Sequence, residues 1–367
     1  MHIVQILPAL NEGGVERGTV ELSRELVQRG HRSTVISAGG KLARQIVADG
    51  GAHVMFDARS KNPLSVPRRV AALRTILNGV NPEVVHYRSR VPGWLFILAN
   101  RSLKLPFVTT VHGFNSVNGY SRVMTFGERV ICPGSGVVDY IRQHYAVPEG
   151  KIRLIYRGID PVQFDPQRLD LNFISDFEER YGLRDAYVVL GVGRITQLKG
   201  YDVLIRAVAR AAAKVPQIKC VIVGSADPSR AAYAEWLHRL ARELQVEDQV
   251  IFAGGQSKMA EIYALGCVLT SNNSSKPESF GRSMAEALAM NTPVIASRFG
   301  GALDIVRDGV NGRLYAPGDV EELAEILVEF SQKRFSGLRE DALQRFGLQQ
   351  MVEKTLAVYE EVVKHSA

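Results

Sequence analysis

Two glutamates stand eight residues apart in the stretch Lys276-Pro277-Glu278-Ser279-Phe280-Gly281-Arg282-Ser283-Met284-Ala285-Glu286-Ala287-Leu288. Pro277 and Ser279 suit a loop, whereas Met284, Ala285, Ala287, Leu288 and Ala289 read as a buried helix. A helix opening near Phe280 presents unpaired N–H groups and a positive dipole end, which together attract anions. Glu278 then lies at the mouth of that anion site, with Glu286 about 9 Å further along the axis. A carboxylate only accepts hydrogen bonds, so each glutamate suits a polyhydroxylated group such as a sugar or a ribose. Sugar, diphosphate and ribose in that order describe a nucleoside-diphosphate sugar. On its own such a pair is more often two solvated glutamates on a surface helix. The rest of the chain decides.

Three further loops follow runs that read as strands. In Asn11-Glu12-Gly13-Gly14-Val15-Glu16-Arg17, the paired glycines let backbone N–H groups approach a ligand just ahead of a helix. The loop lacks Gly-x-Gly-x-x-Gly, so there is no dinucleotide fingerprint, and a tight turn is the plainer reading. In Val111-His112-Gly113-Phe114, His112 stands at the carboxyl end of a strand. There it could donate to a sugar hydroxyl, act as acid or base, or be purely structural. In Gly193-Arg194-Ile195-Thr196-Gln197-Leu198-Lys199-Gly200, Arg194 offers a forked contact to phosphate oxygens and Lys199 a mobile point charge. Two cations and a helix end are sufficient to neutralise a diphosphate leaving group. No Asp-x-Asp pair occurs in the chain, so the usual carboxylate route to Mg²⁺ on a diphosphate is missing, and no metal site is expected.

These loops need a scaffold, and the pattern supplies one. Short β-branched runs at 2–7, 33–37, 52–56, 84–86, 107–111, 130–132 and 152–156 alternate with amphipathic helical stretches. Proline and acidic residues then cluster from Asp160-Pro161 to Asp165-Pro166. The alternation restarts with strands at 187–192, 219–223, 249–252, 267–271 and 293–296, and helices at 201–214, 231–244, 258–265, 320–332 and 348–364. Such alternation predicts an α/β protein of two parallel sheets, and ligands sit off the carboxyl ends of such strands.

With 367 residues the chain can build two cores, and 46% hydrophobic with 23% charged residues is the balance of a soluble globular protein. No apolar run approaches the roughly 20 residues that span a bilayer. The chain enters its first strand without a basic leader, so a cytoplasmic location is expected. Cys132, Cys220 and Cys267 are scattered in apolar stretches and read as buried reduced thiols. Residues 1–160 carry 21 Lys+Arg against 11 Asp+Glu, while the remainder carries 24 against 27. The asymmetry points to a first half that faces an anionic partner, with general solubility charge as the alternative. Arg59, Lys61, Arg68, Arg69, Arg74, Arg88 and Arg90, with Trp94 and Phe96 nearby, suit a phosphorylated glycolipid at an anionic inner membrane face. The alternative is that Arg68, Arg69 and Arg74 form the solvated face of an ordinary helix. Nucleic acid is not expected, because no recognition motif appears.

Gly13-Gly14, His112-Gly113, Arg157-Gly158-Ile159-Asp160, Gly193-Arg194…Lys199-Gly200 and Glu278…Glu286, in this order, resemble the retaining glycosyltransferases of the GT-B fold, family 4. The resemblance implies two Rossmann-like βαβ domains facing each other across a cleft. Residues 1–165, with a returning last helix at about 348–367, would bind the acceptor, and residues 166–347 the nucleotide-sugar. It implies that Arg194 and Lys199 hold the diphosphate, Glu278 the sugar hydroxyls and Glu286 the ribose. Backbone amides of Phe280, Gly281 and Arg282 would face sugar and phosphate, leaving the Arg282 side chain without an assigned role. His112 would contact the donor sugar near the reacting centre. Gly14 would line the phosphate side, and Gly13, Arg88 and Arg90 the acceptor. No cofactor is implied; the donor is a UDP-sugar in preference to a GDP-sugar. Transfer would retain configuration without metal, by front-face attack or by double displacement. The acceptor would be an anionic glycolipid or saccharide, as in bacterial lipopolysaccharide core or envelope glycan synthesis, reached by peripheral contact with the inner membrane. A nucleotide-sugar epimerase of the same architecture and a non-catalytic nucleotide-sugar-binding protein are the alternatives.

Overall fold

The computed structural model describes residues 1–11, 13–226 and 231–366; Glu12 of the first glycine loop lies outside the described residues. In the first unit the apolar runs become β1 (His2–Ile6), β2 (Arg32–Ser37), β3 (Ala52–Met55), β4 (Val84–Tyr87), β5 (Phe107–Thr110), β6 (Arg129–Cys132) and β7 (Ile152–Leu154). They form one sheet in the order β3-β2-β1-β4-β5-β6-β7. In the second unit β8 (Tyr187–Val192), β9 (Ile218–Val223), β10 (Val250–Gly254), β11 (Val268–Ser271), β12 (Val294–Ser297) and β13 (Gly312–Tyr315) lie in the order β10-β9-β8-β11-β12-β13. All the strand pairs are parallel.

Both sheets are wound in the same Rossmann-like way. The strand order reverses between β1 and β4 in one and between β8 and β11 in the other. At such a point the loops leaving two neighbouring strands diverge to opposite faces and open a crevice at their carboxyl ends. The register places Gly191 of β8 beside Thr270 of β11, so the loops after Val192 and Ser271 leave side by side. Val188, Val189 and Leu190 are buried, as a strand covered on both faces requires. Val189, Leu204, Val208, Ile222, Leu237 and Leu327 fill the second core. Val4, Val85, Tyr87, Phe96, Val130 and Ile141 fill the first.

The units are residues 1–158 with 349–367, and residues 159–348. Residues 159–164 go with the second unit because Ile159 bridges to Gly347 and the Phe164 ring lies 6.1 Å from Tyr263. The last helix, Leu348–Ser366, is tied to the first sheet by Tyr359, whose hydroxyl is 2.6 Å from His86 Nδ1. Among the elements that the pattern did not predict are the helices Leu171–Tyr181, Ala302–Ile305 and Leu338–Phe346, and β13. The thiols also differ from expectation. Cys132 and Cys220 are buried, which pushes each up to about 12, but Cys267 is exposed at the amino end of β11. Among the described residues no helix is long and apolar enough to cross a membrane.

Candidate functional site

In the second unit, the loop leaving β8 and the loop leaving β11 meet through one ion pair. Lys199 Nζ donates to Glu278 Oε1, joining residues 79 positions apart. Both side chains are about three-quarters buried, so the pair is partly shielded from solvent. The β8 loop is braced by the Tyr201 hydroxyl, which donates to the Gly193 carbonyl at 2.7 Å. Arg194 stands exposed on the same loop.

The helix Arg282–Ala289 opens beside this pair, with Gly281 as its N-cap at φ 101°. That left-handed backbone favours glycine, and a Cβ there would stand 3.2 Å from Glu278 Oε2 and collide with Met284 Cε. The Glu278 carboxylate therefore sits at the start of the helix. No side chain caps that end, and a helix start presents a positive dipole end suited to an anion. Phe280 turns its ring inward against Phe346, 5.3 Å between centroids, leaving only its backbone for a ligand.

One turn into the helix, Glu286 is 7% exposed and held on both oxygens. Tyr263 donates its hydroxyl to Oε2 at 2.9 Å, and Arg282 Nε donates to Oε1 at 3.1 Å. Arg282 thus has a clear partner, which fixes the Glu286 rotamer. Each carboxylate oxygen keeps a further acceptor position, so the glutamate can still receive a ribose hydroxyl.

The first unit carries the remaining candidates. His112, half-buried after β5, receives a hydrogen bond on Nδ1 from Arg157 Nη2. Its Nε2 is buried without a partner. Desolvation first, then the nearby Arg157, Arg88 and His86, hold the ring well below the usual histidine range. His86 is likewise neutral, its nitrogens 2.6 Å from the Tyr359 hydroxyl and 2.7 Å from Thr110 Oγ1. Arg88 is 5% exposed, against Tyr359, and so lies beneath the surface. Arg90 is the accessible member of its pair. Its Nη1 donates to Ser121 Oγ at 3.1 Å and its guanidinium lies 5.6 Å over the Tyr120 ring.

A cavity of about 670 Å³ opens beside Arg90, with Arg59 and Lys61 at its polar edge and Val66, Trp94 and Leu98 along an apolar wall. Arg69, read above as part of a basic face, is buried and instead staples the loop at 57–65, bonding Ser65 Oγ and the Asp57 and Asn62 carbonyls. Gly13 caps and Gly14 begins the helix Gly14–Gln28, and the Glu16 carboxylate occupies the space beside Gly13 that a Cβ would fill. Any phosphate at that helix end must displace it. Among the described residues no cluster of three or more His, Cys, Asp or Glu is placed to hold a metal ion.

The family model described as "Glycosyl transferases group 1" matches residues 175–345, and that described as "Glycosyltransferase Family 4" matches residues 12–163. The chain belongs to glycosyltransferase family 4. A glycosyltransferase from Rickettsia africae has the same fold at TM-score 0.89 and 28% identity, covering 99% of this chain and 98% of that one. The Anabaena protein HepE, solved in complex with UDP and glucose, superposes at TM-score 0.84 and 22% identity over 98% of this chain and 99% of its own. A D-inositol 3-phosphate glycosyltransferase of Stackebrandtia nassauensis is 32% identical over 62% of this chain. The aligned part spans about half, 51%, of that relative's length.

Within this family 4 chain, the structure joins Lys199 to Glu278 and Arg282 to Glu286 directly, and sets Gly281 beside Glu278. His112, Gly13, Gly14, Arg88 and Arg90 belong to the other unit. The supporting residues Tyr263, Tyr201, His86 and Tyr359 were not singled out by sequence reasoning. Each sits in an apolar run where an aromatic reads as core, and only its hydroxyl or ring nitrogen betrays a second duty. Arg157 was quoted for its motif but given no role.

Proposed function

We propose that this chain transfers a hexose-type sugar from a nucleoside-diphosphate sugar to a phosphate-bearing acceptor, with retention and without a divalent metal. The observation that carries this reading is the Lys199–Glu278 pair set against the uncapped amino end of helix Arg282–Ala289, at the crevice between β8 and β11. A cation, a helix end and a hydroxyl acceptor at one crevice match the diphosphate and first sugar of such a donor. Glu286, buried and steadied by Tyr263 and Arg282, is assigned to the ribose, and exposed Arg194 to the diphosphate. His112 is assigned to the donor sugar. The bond from C1 to the phosphate oxygen breaks and the bond from the acceptor oxygen to C1 forms on the same face. The acceptor oxygen is itself the nucleophile and its proton passes to the leaving diphosphate, so no side chain is needed as nucleophile or as general base. A UDP-sugar is the favoured donor, in line with the ligands of the Anabaena structure.

For the acceptor, the basic and apolar cavity beside Arg90 supports an anionic glycolipid or saccharide of the bacterial envelope, such as lipopolysaccharide core, met at the inner membrane face. The phosphorylated polyol named for the Stackebrandtia relative shares the phosphate but not the apolar part. The test is calorimetry of UDP-, GDP- and ADP-sugars in EDTA, followed by NMR of the anomeric centre of the product. A micromolar UDP-sugar signal, lowered by roughly 1–3 kcal/mol in each of Arg194→Ala, Lys199→Ala and Glu286→Ala, is expected. Unchanged binding in all three variants would overturn the donor site. An inverted product, or turnover abolished by EDTA, would overturn the mechanism.

A further inference from the structure

The ring of His112 is gripped from one side only. Arg157 Nη2 lies against Nδ1, and a guanidinium has donors and no acceptor, so Nδ1 must present its lone pair. In the neutral imidazole the single N–H is then on Nε2, the nitrogen that is buried and without a partner. Arg157 is itself fixed. Its Nη1 crosses helix Gly14–Gln28 at Gly18, 3.1 Å from where a Cβ would stand, with Glu21 Oε2 4.0 Å from the same point. A side chain at Gly18 would therefore crowd the guanidinium. The other groups facing the ring are Arg88 and His86, cationic and neutral respectively, with Tyr359 behind them. None of them supplies a carboxylate to His112, which would have favoured the doubly protonated ring.

We propose that Arg157 is a positioning residue for His112: it occupies the Nδ1 lone pair, and so presents the ring to the reaction as an Nε2–H hydrogen-bond donor. This rests on the assignment of His112 to the donor sugar. It deepens that assignment, because a donor at Nε2 can bond a sugar hydroxyl or a developing negative oxygen but cannot remove a proton there. Of the three roles open to this histidine, the base is excluded by its neighbour.

The test reads the ring itself, on the full chain, by long-range ¹H–¹⁵N spectra of ¹⁵N-histidine protein assigned with His112→Asn. The unliganded protein is expected to show a bare Nδ1 and a protonated Nε2 at His112, unchanged between pH 6 and 8. In Arg157→Met the two tautomers should mix and the titration midpoint should rise towards 6.5. For kcat we expect a fall of about tenfold or more, with a new acid limb in its pH profile and little change in the KM for the donor. Arg157→Lys, which keeps the charge without the fork, should restore the midpoint more than the tautomer. An Nδ1–H signal in the wild-type protein, or Arg157→Met leaving tautomer and midpoint unaltered, overturns the proposal; should Arg157→Met not fold, the wild-type spectrum and Arg157→Lys still decide. Absence of nucleotide-sugar binding with the Nε2–H signature intact would instead refute the donor reading alone.

Discussion

Lys199 cannot give its full charge to a diphosphate while its ammonium rests on Glu278. Two negative groups then compete for one cation, and at partly buried sites such competition is worth more than at the surface. When sugar is present, its hydroxyls can donate to the Glu278 carboxylate and offset the loss of the lysine. When sugar is absent, as with free UDP, nothing does. In the proposed donor site this arrangement would favour the donor over the spent nucleotide. Glu278→Gln, which removes the negative charge and keeps the shape, is expected to tighten UDP binding by about 1 kcal/mol. The same change should slow transfer, since the sugar loses its strongest acceptor. Calorimetry with UDP alone, beside turnover with UDP-sugar, separates the two effects. Weaker UDP binding in this variant would mean that the carboxylate chiefly holds Lys199 in place.

At the scale of elements, the last helix shows how charge ties a distant segment to a sheet. Glu361 reaches Arg129, the first residue of β6, at 2.7 Å and Arg153, the middle residue of β7, at 2.6 Å. Bonding to Arg129 chiefly, opposed by burial and aided by Arg153, holds its carboxyl below the ordinary glutamate range. A folded-state value below the unfolded one means that this contribution is complete above the unfolded value, roughly 4.3, and fades as pH falls through the folded value. Glu361→Gln should therefore cost on the order of 1 kcal/mol in urea unfolding at pH 7 and progressively less towards pH 3. A cost independent of pH would assign the loss to packing instead.

The elements themselves were unevenly legible. Strand 187–192 and helix 320–332 agree with the pattern to the residue, because long apolar or 3.6-periodic runs have one reading. Helix Leu171–Tyr181 buries only Phe177, so its periodicity is nearly silent, although the cap at Asp170 and the glycine at 182 mark its ends. Strand β13 is four residues with an arginine inside, too short for alternation to register. In the site, the spacing of Lys199, Glu278 and Glu286 was legible as chemistry. That Lys199 would meet Glu278, and Arg282 Glu286, was not, because a pattern fixes the face of an element and not the partner of a side chain.

At the scale of the molecule, the two units repeat one winding with different equipment. Every group assigned to the donor except His112 and Gly14 lies in residues 159–348: Arg194, Lys199, Glu278, the Gly281 helix end and Glu286. That unit has its own core and a six-stranded sheet, and its chain is continuous, whereas the first unit is completed only by residues 349–367. Asymmetry of this kind predicts separable functions. A fragment of residues 159–348 should fold cooperatively and bind a UDP-sugar within about tenfold of the full chain, a difference of 1.4 kcal/mol. It should transfer nothing, since His112 and the cavity beside Arg90 are absent. The reverse fragment, residues 1–158, lacks Tyr359 and Glu361 and should unfold more readily than the same residues with the last helix restored in trans. Calorimetry on the first fragment and circular dichroism on the second check both halves of the argument. A 159–348 fragment that folds but ignores nucleotide-sugars would show that the groups around Lys199 are insufficient without the rest of the chain.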